Sequence, residues 1–371
     1  MKILILSCNT GEGHNAAGRA VAEALKDKGH EAVFLDYMTL KSKTTSKFVG
    51  GAYVNVAKKA PRLFGMLYNI GGLISSNKRK SPVYFANRYM AKYLKEYIDE
   101  NKFDGVVMPH LFPAETITYM KKKDMIDIPS VVICTDYTCI PFWEETECDY
   151  YILPHEDLIG EYTKKGLPEE KLLPYGIPVK NSFRIRNDKE KAKEKLGIPK
   201  DDIMYLVMSG SMGYGKLLIF VYEMYRKLNR NEHIVIICGN NTSIKNKLIR
   251  RYGNNKNIKI IGYTNHVSEY LDACDVIFTK PGGLTSTESI VKNVALVHTK
   301  PIPGCETKNM NFFTGKHLSV ASKTIRGQLS LGKMLIRDNK FRENMLQCQK
   351  DNAKGDAGER IVCLLERICS K

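Results

Sequence analysis

The chain has 371 residues, 43% hydrophobic and 26% charged, a length and balance that suit two globular domains and exclude a disordered or fibrous chain. Its formal net charge of +17 favours an anionic partner: nucleic acid, anionic lipid or a phosphate-bearing substrate. Ten cysteines without a single C-x2-C pair argue against a zinc or redox site and for reduced thiols in the cytoplasm.

The first apolar run, residues 3–6, is too short for a secretory core of roughly 7 to 15 residues and reads as a strand. It leads into Ser7-Cys8-Asn9-Thr10-Gly11-Glu12-Gly13-His14, after which Ala16, Ala20, Val21, Ala24 and Leu25 recur at helical spacing. Glycines 11 and 13 let backbone approach a ligand, and the N–H groups of the following helix favour an anion; a tight strand-to-helix turn is the plainer alternative. Further strands are expected at 33–35, 105–108 and 131–133, the last running into Cys134-Thr135-Asp136, so the first half has the rhythm of a doubly wound parallel sheet.

Residues 41–102 hold thirteen lysines and arginines against Glu96, Asp99 and Glu100, a net +10, with Phe48, Tyr53, Phe64, Leu67 and Tyr68 interleaved. That mixture suits an anionic membrane surface; a solvated basic face is the alternative. No stretch reaches the ~20 apolar residues of a membrane-spanning helix, so contact would be peripheral, at the inner face of the cell membrane.

Glycine and proline in Tyr175-Gly176-Ile177-Pro178-Val179-Lys180 mark a hinge, dividing the chain into domains 1–182 and 183–371. Strands at 204–208, 233–238, 258–261, 276–279 and 295–298 then repeat the α/β pattern. The first is followed by Ser209-Gly210-Ser211-Met212-Gly213-Tyr214-Gly215-Lys216, which suits a diphosphate cradle. The fourth runs into Lys280-Pro281-Gly282-Gly283-Leu284-Thr285 and Glu288, where a phosphate could meet the turn and a ribose the glutamate; turn-and-cap chemistry is the alternative. At the end, Ile361, Leu364, Leu365 and Ile368 share one helical face, expected to pack back on the first domain.

These motifs carry a resemblance. A glycine turn ending in His14, the K-P-G-G-L-T run with Glu288, and P-I-P-G-x-E-x-x-N at Pro301, Ile302, Pro303, Gly304, Glu306 and Asn309 stand in the order found in the lipid-directed branch of glycosyltransferase family 28. The chain resembles the monogalactosyl- and glucosyl-diacylglycerol synthases of that branch, and more distantly the peptidoglycan transferase that glycosylates lipid I. The resemblance implies the GT-B fold, two Rossmann-like domains facing each other across a cleft, with a UDP-sugar held by the second and a lipid acceptor by the first. It implies diphosphate contacts from Gly210, Ser211, Gly213 and Lys180, phosphate contacts from Gly282, Gly283 and Thr285, and ribose contacts from Glu288. Backbone at Tyr263 would face uracil, and Glu306 and Asn309 would approach the sugar. The lipid transferases have glutamine where this chain has Cys305, which leaves the donor sugar open.

The sequence contains no D-x-D clamp, so a metal-free site without cofactor is expected, with helix N-termini and backbone N–H groups meeting the leaving-group charge. The resemblance implies single displacement with inversion. His14, an imidazole that titrates near about 6.5, is the preferred general base, and Asp136 is its rival. Other readings are an epimerase, a transferase to a soluble acceptor, a non-catalytic nucleotide-sugar sensor, or a dinucleotide dehydrogenase built on Gly11, Gly13, Ala16 and Asp36. The basic aromatic segment favours lipid, and no nucleic-acid partner is expected.

Overall fold

The computed structural model describes residues 1–9, 11–42, 70–71, 80–208 and 217–370. Its contacts divide the chain into one unit of Met1–Asn181, Pro303–Cys305 and Lys354–Lys371 and another of Ser182–Ile302 and Glu306–Ala353.

In the first unit, β1 (Lys2–Ser7), β2 (Glu31–Asp36), β3 (Gly105–Met108), β4 (Ser130–Ile133), β5 (Tyr150–Ile152) and β6 (Leu172–Leu173) form one sheet. The order is β2-β1-β3-β4-β5-β6 and every pairing is parallel. A parallel sheet is covered on both faces, which is why β1, β3 and β4 are continuous apolar runs, buried throughout but for Lys2. Helix Glu12–Asp27 follows β1 and buries Ala17, Val21 and Leu25. The last helix, Ala357–Cys369, packs against it through Ile361, Val362, Leu364 and Leu365, all buried in the same core. Close approach is possible because Gly358 has no side chain; a Cβ there would lie 3.3 Å from that of Ala24. Each such buried aliphatic side chain contributes about 1.5–3 kcal/mol.

In the second unit, β7 (Ile203–Met208), β8 (Glu232–Ile237), β9 (Ile258–Ile261), β10 (Val276–Thr279), β11 (Ala295–His298) and β12 (Val320–Ala321) form another wholly parallel sheet, ordered β12-β11-β10-β7-β8-β9. Both units are therefore Rossmann-like, and each reverses strand order once, between β1 and β3 and between β7 and β10. Ligands of open α/β sheets bind at the carboxyl ends of strands flanking such a reversal. Among the described residues, no helix is long and apolar enough to cross a membrane.

Candidate active site

The reversal point of the first sheet brings His14 and His110 together. His14 stands in the first turn of helix Glu12–Asp27, whose N-cap is Gly11 with no side-chain cap. His110 is the N-cap of helix Leu111–Lys122, directly after β3. Their rings meet edge to face at 4.7 Å. Nδ1 of His14 lies 2.8 Å from the Pro109 carbonyl oxygen and 2.8 Å from Thr135 Oγ1. A carbonyl only accepts, so Nδ1 carries the proton and Nε2 keeps its lone pair. Among the described residues Nε2 has no hydrogen-bond partner.

Burial holds the His14 imidazole below its ordinary value, against the opposing pull of the Asp136 carboxylate and the Pro109 carbonyl. His110 is pushed further down, by burial first and by the adjacent His14 second. Both rings are accordingly neutral at pH 7. Asp136 follows β4, next but one to β1 in the sheet, and acts on His14 through its charge.

In the second unit, β10 delivers Lys280, Pro281 and Gly282 to the reversal point, and helix Gly283–Val291 starts there. Gly282 caps this helix at φ −75°, ψ 138°, with no side-chain hydrogen bond. The first bond of the helix runs from Ser286 N–H to Gly282 O, so the N–H groups of Gly283, Leu284 and Thr285 precede it and have no acceptor within the helix. Neither φ/ψ nor packing demands glycine at 282, since a Cβ would meet nothing within 4 Å. Among the described residues these N–H groups have no acceptor, and they stand at the positive end of the helix dipole. Glu288 lies further along the same helix, 9% exposed.

Two motifs that are separate in sequence form one structure here. Lys280 Nζ donates to Glu306 Oε1 at 2.5 Å, and Ile302 N–H donates to Glu306 Oε2 at 2.8 Å. Asn309, fully buried, donates from Nδ2 to Pro281 O at 3.1 Å. Both oxygens of Glu306 are therefore held by protein, and the start of helix Cys305–Gly315 is tied to the loop after β10. The turn before that helix requires glycine, because Gly304 has φ 113°. Beneath, buried His298 links Ser286 and Ser319, each at 3.0 Å. Burial pushes this imidazole down to about 3, so it stays neutral and anchors the helix that bears Glu288.

Residues 14–179 match the family model described as monogalactosyldiacylglycerol (MGDG) synthase, and residues 188–346 that of glycosyl transferases group 1. A processive diacylglycerol beta-glucosyltransferase of Bacillus mycoides is 26% identical over 369 residues, covering 97% of this chain and 92% of that protein. Over nearly its whole length the chain is similar to diacylglycerol glycosyltransferases.

Solved structures agree on the fold. MurG of Acinetobacter baumannii superposes with a TM-score of 0.63 at 15% identity, over 99% of both chains. The UDP-GlcNAc 2-epimerase of Neisseria meningitidis, bound to UDP-GlcNAc, gives 0.64 at 13% identity, over 99% of this chain and all of that one. The architecture is GT-B.

The structure places His14 at one sheet reversal, with Asp136 after β4 within reach of its charge, and Gly282, Gly283 and Thr285 at the other, where Glu288 follows on the same helix and Glu306 and Asn309 are tied to the loop after β10. Lys180 is the penultimate residue of the first unit's long segment. Tyr263, after β9, is 52% exposed and donates its hydroxyl to Asn265 Oδ1 at 3.1 Å. Gly210, Ser211 and Gly213 lie outside the described residues, as do Lys78, Arg79 and most of 41–102. Within that segment Lys80 is described: its ammonium donates to Glu145 O at 2.5 Å and stands 5.1 Å from the Tyr84 ring centre. Lys80 is thus engaged by protein partners. Sequence reasoning passed over His110, Thr135 and His298. Their available signal was a polar side chain at the carboxyl end of an apolar strand, and for the first two that strand is near β1 in the sheet.

Proposed function

We propose that the chain transfers a hexose from a UDP-sugar to diacylglycerol or a related membrane lipid, with inversion and without a metal ion. The observation that carries this reading is the uncapped start of helix Gly283–Val291 under open space at Gly282. It supplies fixed donors where a diphosphate leaving group would gain charge, and such preorganised donors need no metal to act. Lys280 holds Glu306, so we assign this pair to shaping the sugar pocket. Neutral His14, with its Nε2 lone pair available, would take the acceptor hydroxyl's proton, and the Asp136 carboxylate would stabilise the imidazolium that results. The name of the Bacillus relative supports diacylglycerol as acceptor and glucose as the sugar.

A peripheral site at an anionic membrane fits this chemistry. Phe85 and Tyr89 are 46% and 68% exposed, with the Arg88 guanidinium 5.3 and 5.4 Å from their ring centres, a basic aromatic face suited to the headgroup region.

Gly282→Ala tests the donor assignment. The backbone geometry and free space at 282 accept a methyl group, so the thermal midpoint should hold or rise slightly. UDP affinity, measured by calorimetry with EDTA present, should fall about ten- to a hundredfold, the cost of roughly one charge-assisted hydrogen bond. Unchanged affinity would remove the diphosphate from this turn.

A further inference from the structure

The second unit bears a surface that the donor site does not use. Helices Leu217–Tyr225 and Thr242–Tyr252 meet towards their C-terminal ends, where the rings of Tyr225 and Tyr252 are 5.2 Å apart. Their inner faces are ordinary core, with Phe220, Val221, Met224 and Leu248 buried. Their outer faces are not ordinary surface: Leu218, Ile219, Tyr225 and Ile249 are 36%, 48%, 40% and 43% exposed. Isolated exposed apolar residues need no explanation, whereas four large ones on two adjoining helices do.

The charge around them is of one sign. Residues 217–259 contain nine lysines and arginines against two acids, Glu223 and Glu232. Glu232 is buried and held by Tyr205 and Lys333, while Glu223 sits 4.0 Å from Arg226. The guanidiniums of Arg226 and Arg251 stand 5.7 and 4.7 Å from the Tyr222 ring centre, keeping cations at the edge of the apolar surface. A polyanion alone would match the charge and leave Leu218, Ile219 and Ile249 in water. An anionic bilayer matches both, accepting apolar side chains below the headgroups and cations among them.

We propose that the outer face of helices Leu217–Tyr225 and Thr242–Tyr252 docks on an anionic lipid bilayer, a second membrane contact separate from the 41–102 segment. It rests on the reading that the acceptor is a membrane lipid, which brings the protein to a bilayer.

The single tryptophan, Trp143, is buried, so a second one placed on the face reports locally. Full-length Ile249→Trp is expected to show a blue-shifted emission on vesicles of phosphatidylglycerol and phosphatidylcholine at low salt, and none on phosphatidylcholine alone. Arg250→Gln with Arg251→Gln should weaken anionic-vesicle affinity about tenfold or more, since each cation near such a surface adds appreciably to binding. The same pair should leave the thermal midpoint and sugar transfer to a short-chain soluble acceptor unchanged. Vesicle binding without the blue shift, or with wild-type affinity in the arginine pair, would overturn the proposal. So would a shift produced equally by RNA or an acidic protein. Loss of sugar transfer to every lipid, with the vesicle shift intact, would instead count against the acceptor assignment and leave the docking face standing.

Discussion

His14→Ala is expected to lower turnover by about two to four orders of magnitude while UDP affinity stays close to that of the parent, the signature of a lost general base. The Pro109 carbonyl fixes the proton on Nδ1, so Nε2 is the atom that would take the acceptor proton. Burial lowers the imidazole's affinity for protons, which sets the pH profile. The active form is neutral; kcat/KM should be flat through pH 7 and fall only at pH values below the ordinary histidine value of about 6.5, where imidazolium forms. Asp136→Asn should reduce turnover less, because it removes charge stabilisation and leaves the base in place. A near-normal His14→Ala enzyme alongside a collapsed Asp136→Asn enzyme would transfer the role to Asp136.

Glu288→Ala should weaken UDP binding by about 1.5–3 kcal/mol, roughly ten- to 150-fold, through loss of a charged acceptor for the ribose hydroxyls. Glu288 shares its helix with the N–H groups at Gly283 to Thr285, which have no acceptor among the described residues, so ribose and diphosphate would be gripped by one rigid element. Glu288→Gln keeps the shape and one acceptor oxygen and should lose less. Calorimetry with UDP, paired with a thermal midpoint to exclude unfolding, decides the matter; wild-type affinity in the alanine variant would remove Glu288 from the ribose site.

The sheet strands with strong apolar runs were legible because parallel strands are covered on both faces: β3, β9, β10 and β11 stand where the runs put them. Strands β5, β6 and β12 were not, since two or three residues at or near a sheet edge carry no periodicity. The glycine turns before His14 and Glu288 were visible for a chemical reason, the need for backbone donors at a helix start. What holds them was not. Pro109 and Thr135 lie 95 and 121 residues from His14, and their convergence depends on β1 sitting beside β3, which strand order alone decides. Likewise Glu306 reads as a sugar contact in the sequence, whereas the fold ties one of its oxygens to Lys280, 26 residues away. Lys80 reads as one charge in a basic run until Glu145 and Tyr84 are seen around it.

The most direct measurement is product analysis: purified full-length protein, diacylglycerol in mixed vesicles, EDTA, and UDP-glucose, UDP-galactose or UDP-GlcNAc in separate reactions, with lipids read by mass spectrometry and UDP by chromatography. A hexosyl-diacylglycerol formed in step with free UDP is the predicted result. Epimerised UDP-sugar in the absence of lipid, or a bound donor that no acceptor ever consumes, would contradict it.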